Sequence, residues 1–148
     1  MTAPLPQGYS LHAETPLAAD YLRLRLETGL SPKSAEGAAL GLPNTRHAVV
    51  IRHDDAVIGM GRVIGDGGLF FQVVDIAVDA RHQGRGLGKA IVEALVDHLH
   101  ATAPSGAYVS LMADGEAHKL YSQFGFEHTA PRSVGMAFVI RPIAREDI

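Results

Sequence analysis

Gln83-Gly84-Arg85-Gly86-Leu87-Gly88-Lys89 is the stretch whose residue types and spacing best suit a chemical task. Glycine at alternate positions lets the main chain approach an anion with no Cβ atoms in the way. Placed at the mouth of a helix, these N–H groups and the positive end of the helix dipole would hold phosphate oxygens. Arg81, Arg85 and Lys89 fall in the same short stretch with no acid among them. The chain as a whole has 13 Lys and Arg against 16 Asp and Glu, so this local reversal of charge is informative. A Walker A loop would need Ser or Thr after Gly88-Lys89, where Ala90 stands. A dinucleotide fingerprint would need glycine at Lys89. The competing reading is a glycine-rich turn that binds nothing.

Asp75 is the second candidate. It interrupts the apolar run Val73-Val74-Asp75-Ile76-Ala77-Val78. An isolated carboxylate buried there would be costly, and desolvation would raise its pKa towards that of a general base. It could equally be paired structurally, with Asp114, Glu116, His118 or a chain of waters as the other candidates to carry the proton. The eight histidines form no metal constellation: His98 and His100 lie on different faces of a helix, and His-Glu-x-x-His is absent. With no cysteine there is neither a thiolate metal site nor a cysteine acyl-enzyme, and Ser105 and Ser110 lack a nucleophile elbow.

The elements that must position these residues follow from periodicity and turn chemistry. A short strand is predicted over residues 9–14. Thr15-Pro16 reads as an N-cap with proline at the first helical position, opening a helix over 16–27. Inside it Leu22, Leu24 and Leu26 alternate with Arg23 and Arg25, a strand-like pattern that competes. Residues 29–46 read as a loop around one short helix. Two β-branched runs, 47–53 and 57–64, flank Asp54-Asp55 as a hairpin. After a turn at 65–68, a third strand over 69–78 is apolar at nearly every position, as for a strand covered on both faces. Leu87, Ile91, Leu95 and Leu99 then recur every four residues, the stripe of a strong helix. A strand over 107–112 follows, then a second helix over 116–124 with Gly125 as its C-terminal cap. Residues 136–140 are expected to close the sheet. The result is an α/β fold with a mixed, mostly antiparallel central sheet flanked by helices.

Gln83-x-x-Gly86-x-Gly88 after that apolar strand resembles the acyl-CoA signature of the GNAT N-acetyltransferase superfamily. Leu120-Tyr121-Ser122-Gln123-Phe124-Gly125-Phe126 is similar to the superfamily's later Tyr-x-x-x-Gly-Phe segment. The two motifs run from about residue 73 to 126 in the right order. The resemblance implies an acetyl-CoA-dependent N-acetyltransferase acting directly on a primary amine. It implies a strand pair splayed apart, with Ile76, Ala77 and Val78 presenting open backbone groups to pantetheine. It also implies Gln83, Gly84, Arg85, Gly86, Leu87 and Gly88 around the pyrophosphate, with Arg81, Arg85 and Lys89 either reaching the 3′-phosphate or lying in solvent. The Ile76 N–H, or that of a neighbour, becomes the oxyanion donor, and Tyr121 the acid that protonates the leaving thiolate. Tyr121 also lies on an apolar stripe with Leu120 and Phe124, so a plain core role competes. A sensor that binds acyl-CoA without catalysis is the alternative function.

One domain is expected over 1–148, with 1–46 as a variable acceptor-side region and 47–141 as sheet and acyl-CoA core. Residues 29–46, the turn at 65–68 and the segment 131–136 are expected to build the acceptor site. Lys33, Arg46, Arg62 and Arg132 could meet an acidic acceptor. The net charge of -3 argues against nucleic acid as a main partner. No basic and apolar leader opens the chain, no apolar run approaches a bilayer span, and cysteine is absent, so a cytoplasmic setting is expected. Exposed sheet edges make a homodimer a reasonable expectation.

Overall fold

The computed structural model describes residues 4–147 and has one five-stranded sheet in the order β1-β2-β3-β4-β5. Met1-Thr2-Ala3, part of the segment read for a leader, lies outside the described residues. β1 (Tyr9–His12), β2 (His47–His53), β3 (Ala56–Gly65) and β4 (Phe70–Val78) pair antiparallel in turn. β5 (Tyr108–Ser110) joins β4 in parallel. The hairpin between β2 and β3 works because Asp54 and Asp55 both adopt positive φ, 50° and 65°, as its tight turn requires. At the next turn Asp66 Oδ1 accepts hydrogen bonds from the N–H groups of Gly68, Leu69 and Phe70. Those donors hold its carboxyl below the ordinary range.

Helices cover both faces. Leu87, Ile91, Leu95 and Leu99 of α3 (Leu87–Thr102) pack on Val49, Ile51, Val63, Phe71 and Val73. The predicted stripe is the buried one, and each such side chain contributes about 1.5–3 kcal/mol by leaving water. On the other face, Tyr21 and Leu24 of α1 (Ala18–Glu27) and Ala38 of α2 (Ala35–Gly41) pack on Val50, Val57, Met60 and Ala77. β4 is therefore covered on both sides.

Three expectations need correction. α1 starts at Ala18 instead of Pro16: Pro16 is buried, and Leu17 stays extended (ψ 149°) and caps the helix without a side-chain bond. The predicted helix over 116–124 is one α turn, α4 (His118–Tyr121), tightening to a 3₁₀ turn at Ser122–Phe124. Gly125 ends it with φ 91°, as expected of a C-terminal cap. Residues 136–140 do not close the sheet. β5 is three residues long and offers a short template, and Met136 and Phe138 stand 89% and 87% exposed.

Candidate active site

The segment from β4 to α3 is built around polar contacts that leave its glycines free. Asp79 accepts from the Arg81 N–H at 2.9 Å and takes the Arg81 guanidinium at 2.8 and 3.1 Å. Those hydrogen bonds pull the Asp79 carboxyl down to about 2. Gln83 Nε2 donates to the Val78 carbonyl at 2.9 Å, tying the loop to the end of β4. Gly84 and Gly86 then take φ of 77° and 79°, and nothing lies within 4 Å of a Cβ built on either. Gly86 is also the N-cap of α3 and supplies no side-chain oxygen to its first amides. Those donors are available to an anion. Arg85 lies over the Tyr9 ring, 6.0 Å from its centroid, and Lys89 is exposed.

The same loop meets α4. A Cβ on Gly88 would come 3.9 Å from Leu120 Cδ2. The next residue, Tyr121, packs edge-on against Phe126 and lines a cleft of about 610 Å³ with Ser110, Leu111, Met112 and His118. Burial pushes the Tyr121 phenol up, and Asp114 nearby adds to the effect. A phenol shifted that way stays protonated at neutral pH and can give up a proton.

β4 breaks its own alternation. Phe71 and Val73 pack in the α3-side core, and so do Ile76 and Val78, so the side-chain parity changes between 73 and 76. The register shows why: Arg62 faces Val74 while Met60 faces Ala77, so three steps on β4 match two on β3. This is a β-bulge, and Asp75 within it has φ 61°. On the other edge, pairing with β5 ends at Gln72↔Ser110. From Val73 onward that edge of β4 has no strand beside it. The pairing ends short of Ile76, Ala77 and Val78, the residues expected beside the splay.

Asp75 is paired. Its Oδ1 accepts from Arg25 Nη1 at 2.5 Å and from the Tyr21 hydroxyl at 3.0 Å, and its Oδ2 accepts from Arg62 Nη1 at 2.7 Å. The three charged side chains are 4–10% exposed. The isolated carboxylate expected from the sequence is thus replaced by the structural alternative. Asp75 points towards α1, whereas Tyr121 sits by the loop and β5. Arg62, read as a contact for an acidic acceptor, is instead buried in this network. Arg46 packs against the turn at Gly67, while Lys33 and Arg132 remain exposed. Sequence reasoning missed Tyr21 and Arg25. The available signal was Arg25 between Leu24 and Leu26, a cation set in an apolar pattern.

A profile described as "Acetyltransferase (GNAT) domain" matches residues 44–128, more than half of the chain. The chain belongs to the GNAT acetyltransferase family. GCN5-related N-acetyltransferase 1, chloroplastic, of Arabidopsis thaliana is 27% identical over 90% of this GNAT chain and 75% of its own length. GCN5-related N-acetyltransferase 2, chloroplastic, of the same plant is 37% identical over 51% of this chain, which covers only 29% of that protein. Among solved structures, a probable acetyltransferase of meticillin-resistant Staphylococcus aureus is 44% identical. That likeness covers 89% of this chain and 99% of the other, with a TM-score of 0.85. An Arabidopsis glucosamine-6-phosphate N-acetyltransferase, 21% identical with a TM-score of 0.65 over 88% of this chain and 98% of its own, shares the fold. Among the described residues no helix is long and apolar enough to cross a membrane.

Proposed function

We propose that this GNAT chain moves an acetyl group from acetyl-CoA directly to a primary amine. The observation that carries the reading is the uncovered loop at the start of α3 beside the half of β4 that β5 leaves unpaired. Backbone N–H groups of residues 83–88 hold the pyrophosphate at the helix mouth. The open edge at Ile76, Ala77 and Val78 takes the pantetheine amides as a strand would. The Ile76 N–H, next to the bulge, polarises the thioester carbonyl, and Tyr121 supplies the proton to the departing sulfur.

Lys89 and Arg85 give the cofactor phosphates a cationic surround. Arg81 is committed to Asp79 and shapes the loop. As a base Asp75 would have to shed two guanidinium donors and the Tyr21 hydroxyl before its oxygens could meet an amine. Proton removal from the amine is better assigned to the cleft mouth, where His118 lines the same space as Tyr121.

Residues 1–46 with the turn at 65–68 and the segment 131–136 form the acceptor side of a single domain. A cytoplasmic setting is part of the same proposal, in keeping with a sequence that has no cysteine. A homodimer is supported by Val134, Met136, Phe138, Val139 and Ile140, each at least 65% exposed on one extended segment.

Calorimetry with coenzyme A, followed by thiol release from acetyl-CoA across a panel of amines and peptides, tests the reading. Saturable binding and turnover on an amine are expected. Binding with no turnover on any amine would favour the non-catalytic sensor, and no heat with coenzyme A would remove both.

A further inference from the structure

Asp75 is the only non-glycine residue of β4 with a left-handed backbone. Aspartate tolerates that region better than the β-branched residues around it, yet the conformation is still unfavourable without support. Support comes from outside the strand. Arg25 Nη1 on α1 and Arg62 Nη1 on β3 bind the two carboxylate oxygens separately. Each guanidinium is fixed at its far side: Arg25 by the Ser31 carbonyl at 3.0 and 2.7 Å and the Ser31 hydroxyl at 2.9 Å, Arg62 by the Thr45 hydroxyl at 2.9 Å. No buried side-chain nitrogen or oxygen among the described residues lacks a partner.

A network of two cations and one anion is an expensive way to fill a core. Hydrophobic residues of equal volume would often serve stability as well or better. What this network does that an apolar core cannot is fix the angle of one peptide unit. The bulge leaves Asp75 and Ile76 without register partners on β3, and pairing with β5 has already ended. The direction of the Ile76 N–H therefore follows the Asp75 backbone and not the regular register of β3 and β4.

We propose that Arg25, together with Arg62, is a positioning residue for acetyl transfer: through the Asp75 carboxylate it clamps the β4 bulge that aims the Ile76 N–H. Neither arginine touches the thioester. The inference rests on the reading above of Ile76 as oxyanion donor. It adds that α1 and the 31–45 segment, far from the pyrophosphate loop in sequence, control the polarising power of the site.

The test is the carbonyl stretch of bound [1-¹³C]acetyl-CoA by isotope-edited infrared spectroscopy, with affinity measured in parallel. A well-aimed donor moves that band to lower frequency. Arg25→Met and Asp75→Asn should each lose at least half of the wild-type displacement, while coenzyme A affinity stays within about threefold, a change below 1 kcal/mol. Arg25→Lys, which keeps a charge but not the fork, should fall between. A purely structural role would lower the folded fraction, which reduces band intensity and apparent affinity together and leaves band position unmoved. Variants with the wild-type band position would overturn the inference while leaving the donor intact. A wild-type band with no displacement on binding would remove the donor and this inference together, whereas a wild-type protein that binds no acetyl-CoA would sink the functional reading itself.

Discussion

Arg25 Nη1 meets Asp75 Oδ1 at 2.5 Å, joining the first helix to the one position where β4 departs from regular strand geometry. The Tyr21 hydroxyl donates to the same oxygen, so helix, strand and bulge share a single buried carboxylate.

The alkaline limit of stability follows from Tyr21. Its pKa is pushed up to about 12, first by burial and then by the Asp75 charge. A folded pKa above the unfolded value of about 10 means the native state binds more protons between the two. The Tyr21 contribution is thus complete below pH 10 and is lost as pH climbs through 12. Urea midpoints measured from pH 8 to 12 should fall over that window in the wild type. In Tyr21→Phe the fall should be shallower, and parallel curves would show that Tyr21 is not the group responsible.

Gly86→Ala separates backbone strain from crowding. Nothing lies within 4 Å of the added Cβ, but φ is 79°. The left-handed conformation should cost roughly 1 kcal/mol, lowering Tm by about 2–4 °C. Coenzyme A affinity should fall by much more than that stability loss implies, because the methyl group intrudes where phosphate oxygens approach. If affinity is unchanged, the phosphates do not bind at Gly86.

The three basic residues beside the loop should not behave alike. Arg81 is held by Asp79 in a two-pronged pair, whereas Lys89 is exposed on the first turn of α3. Lys89→Ala should weaken coenzyme A binding by several-fold, about 1 kcal/mol, and flatten its salt dependence. Arg81→Ala should mainly disturb the loop and lower Tm. Equal salt slopes in the two variants would place both side chains at the phosphates.

The glycine-rich loop at the mouth of α3 was legible in the sequence because glycine spacing and local charge are properties of one short stretch. The α3 stripe was legible for a similar reason, since a period of four is written in Leu87, Ile91, Leu95 and Leu99. The bulge was not. A run such as Val73 to Val78, apolar on both faces, shows no alternation for an inserted residue to break. The partners of Asp75 were equally hidden, because Arg25 and Arg62 lie 50 and 13 positions away and only the fold brings them together. Residues 136–140 misled in the opposite direction: their composition is that of a strand, but strand formation needs a neighbour, and composition says nothing of that.

Tyr121→Phe tests the acid. The substitution keeps the ring that packs edge-on against Phe126 and removes only the hydroxyl. General-acid assistance typically contributes about 10²–10⁴-fold. Turnover should therefore drop into that range while KM for acetyl-CoA changes little, a split that lost packing would not produce. Because burial raises the phenol pKa, the wild-type rate should hold well into alkaline pH before the acid form is lost. Undiminished turnover in Tyr121→Phe would return Tyr121 to the core.

The last prediction concerns the exposed extended segment. Val134 to Ile140 carries no charged residue and stands apart from the sheet, with Phe138 and Met136 almost fully in water. An apolar stretch with an unpaired backbone is a template for another strand, and a second copy presents the same template about a two-fold axis. A stable dimer needs roughly 1,200–2,000 Å² buried in total, so the surfaces beside the two segments would have to join the contact. Light scattering should give twice the chain mass for the wild type. Phe138→Asp should give a monomer, because a buried carboxylate without a partner is costly at such a contact. The same variant should keep its coenzyme A affinity, since the loop at residues 83–88 is remote from the substitution in the chain and separately built. A wild type that stays monomeric at high concentration would leave these side chains without a second copy to cover them and would end the dimer reading.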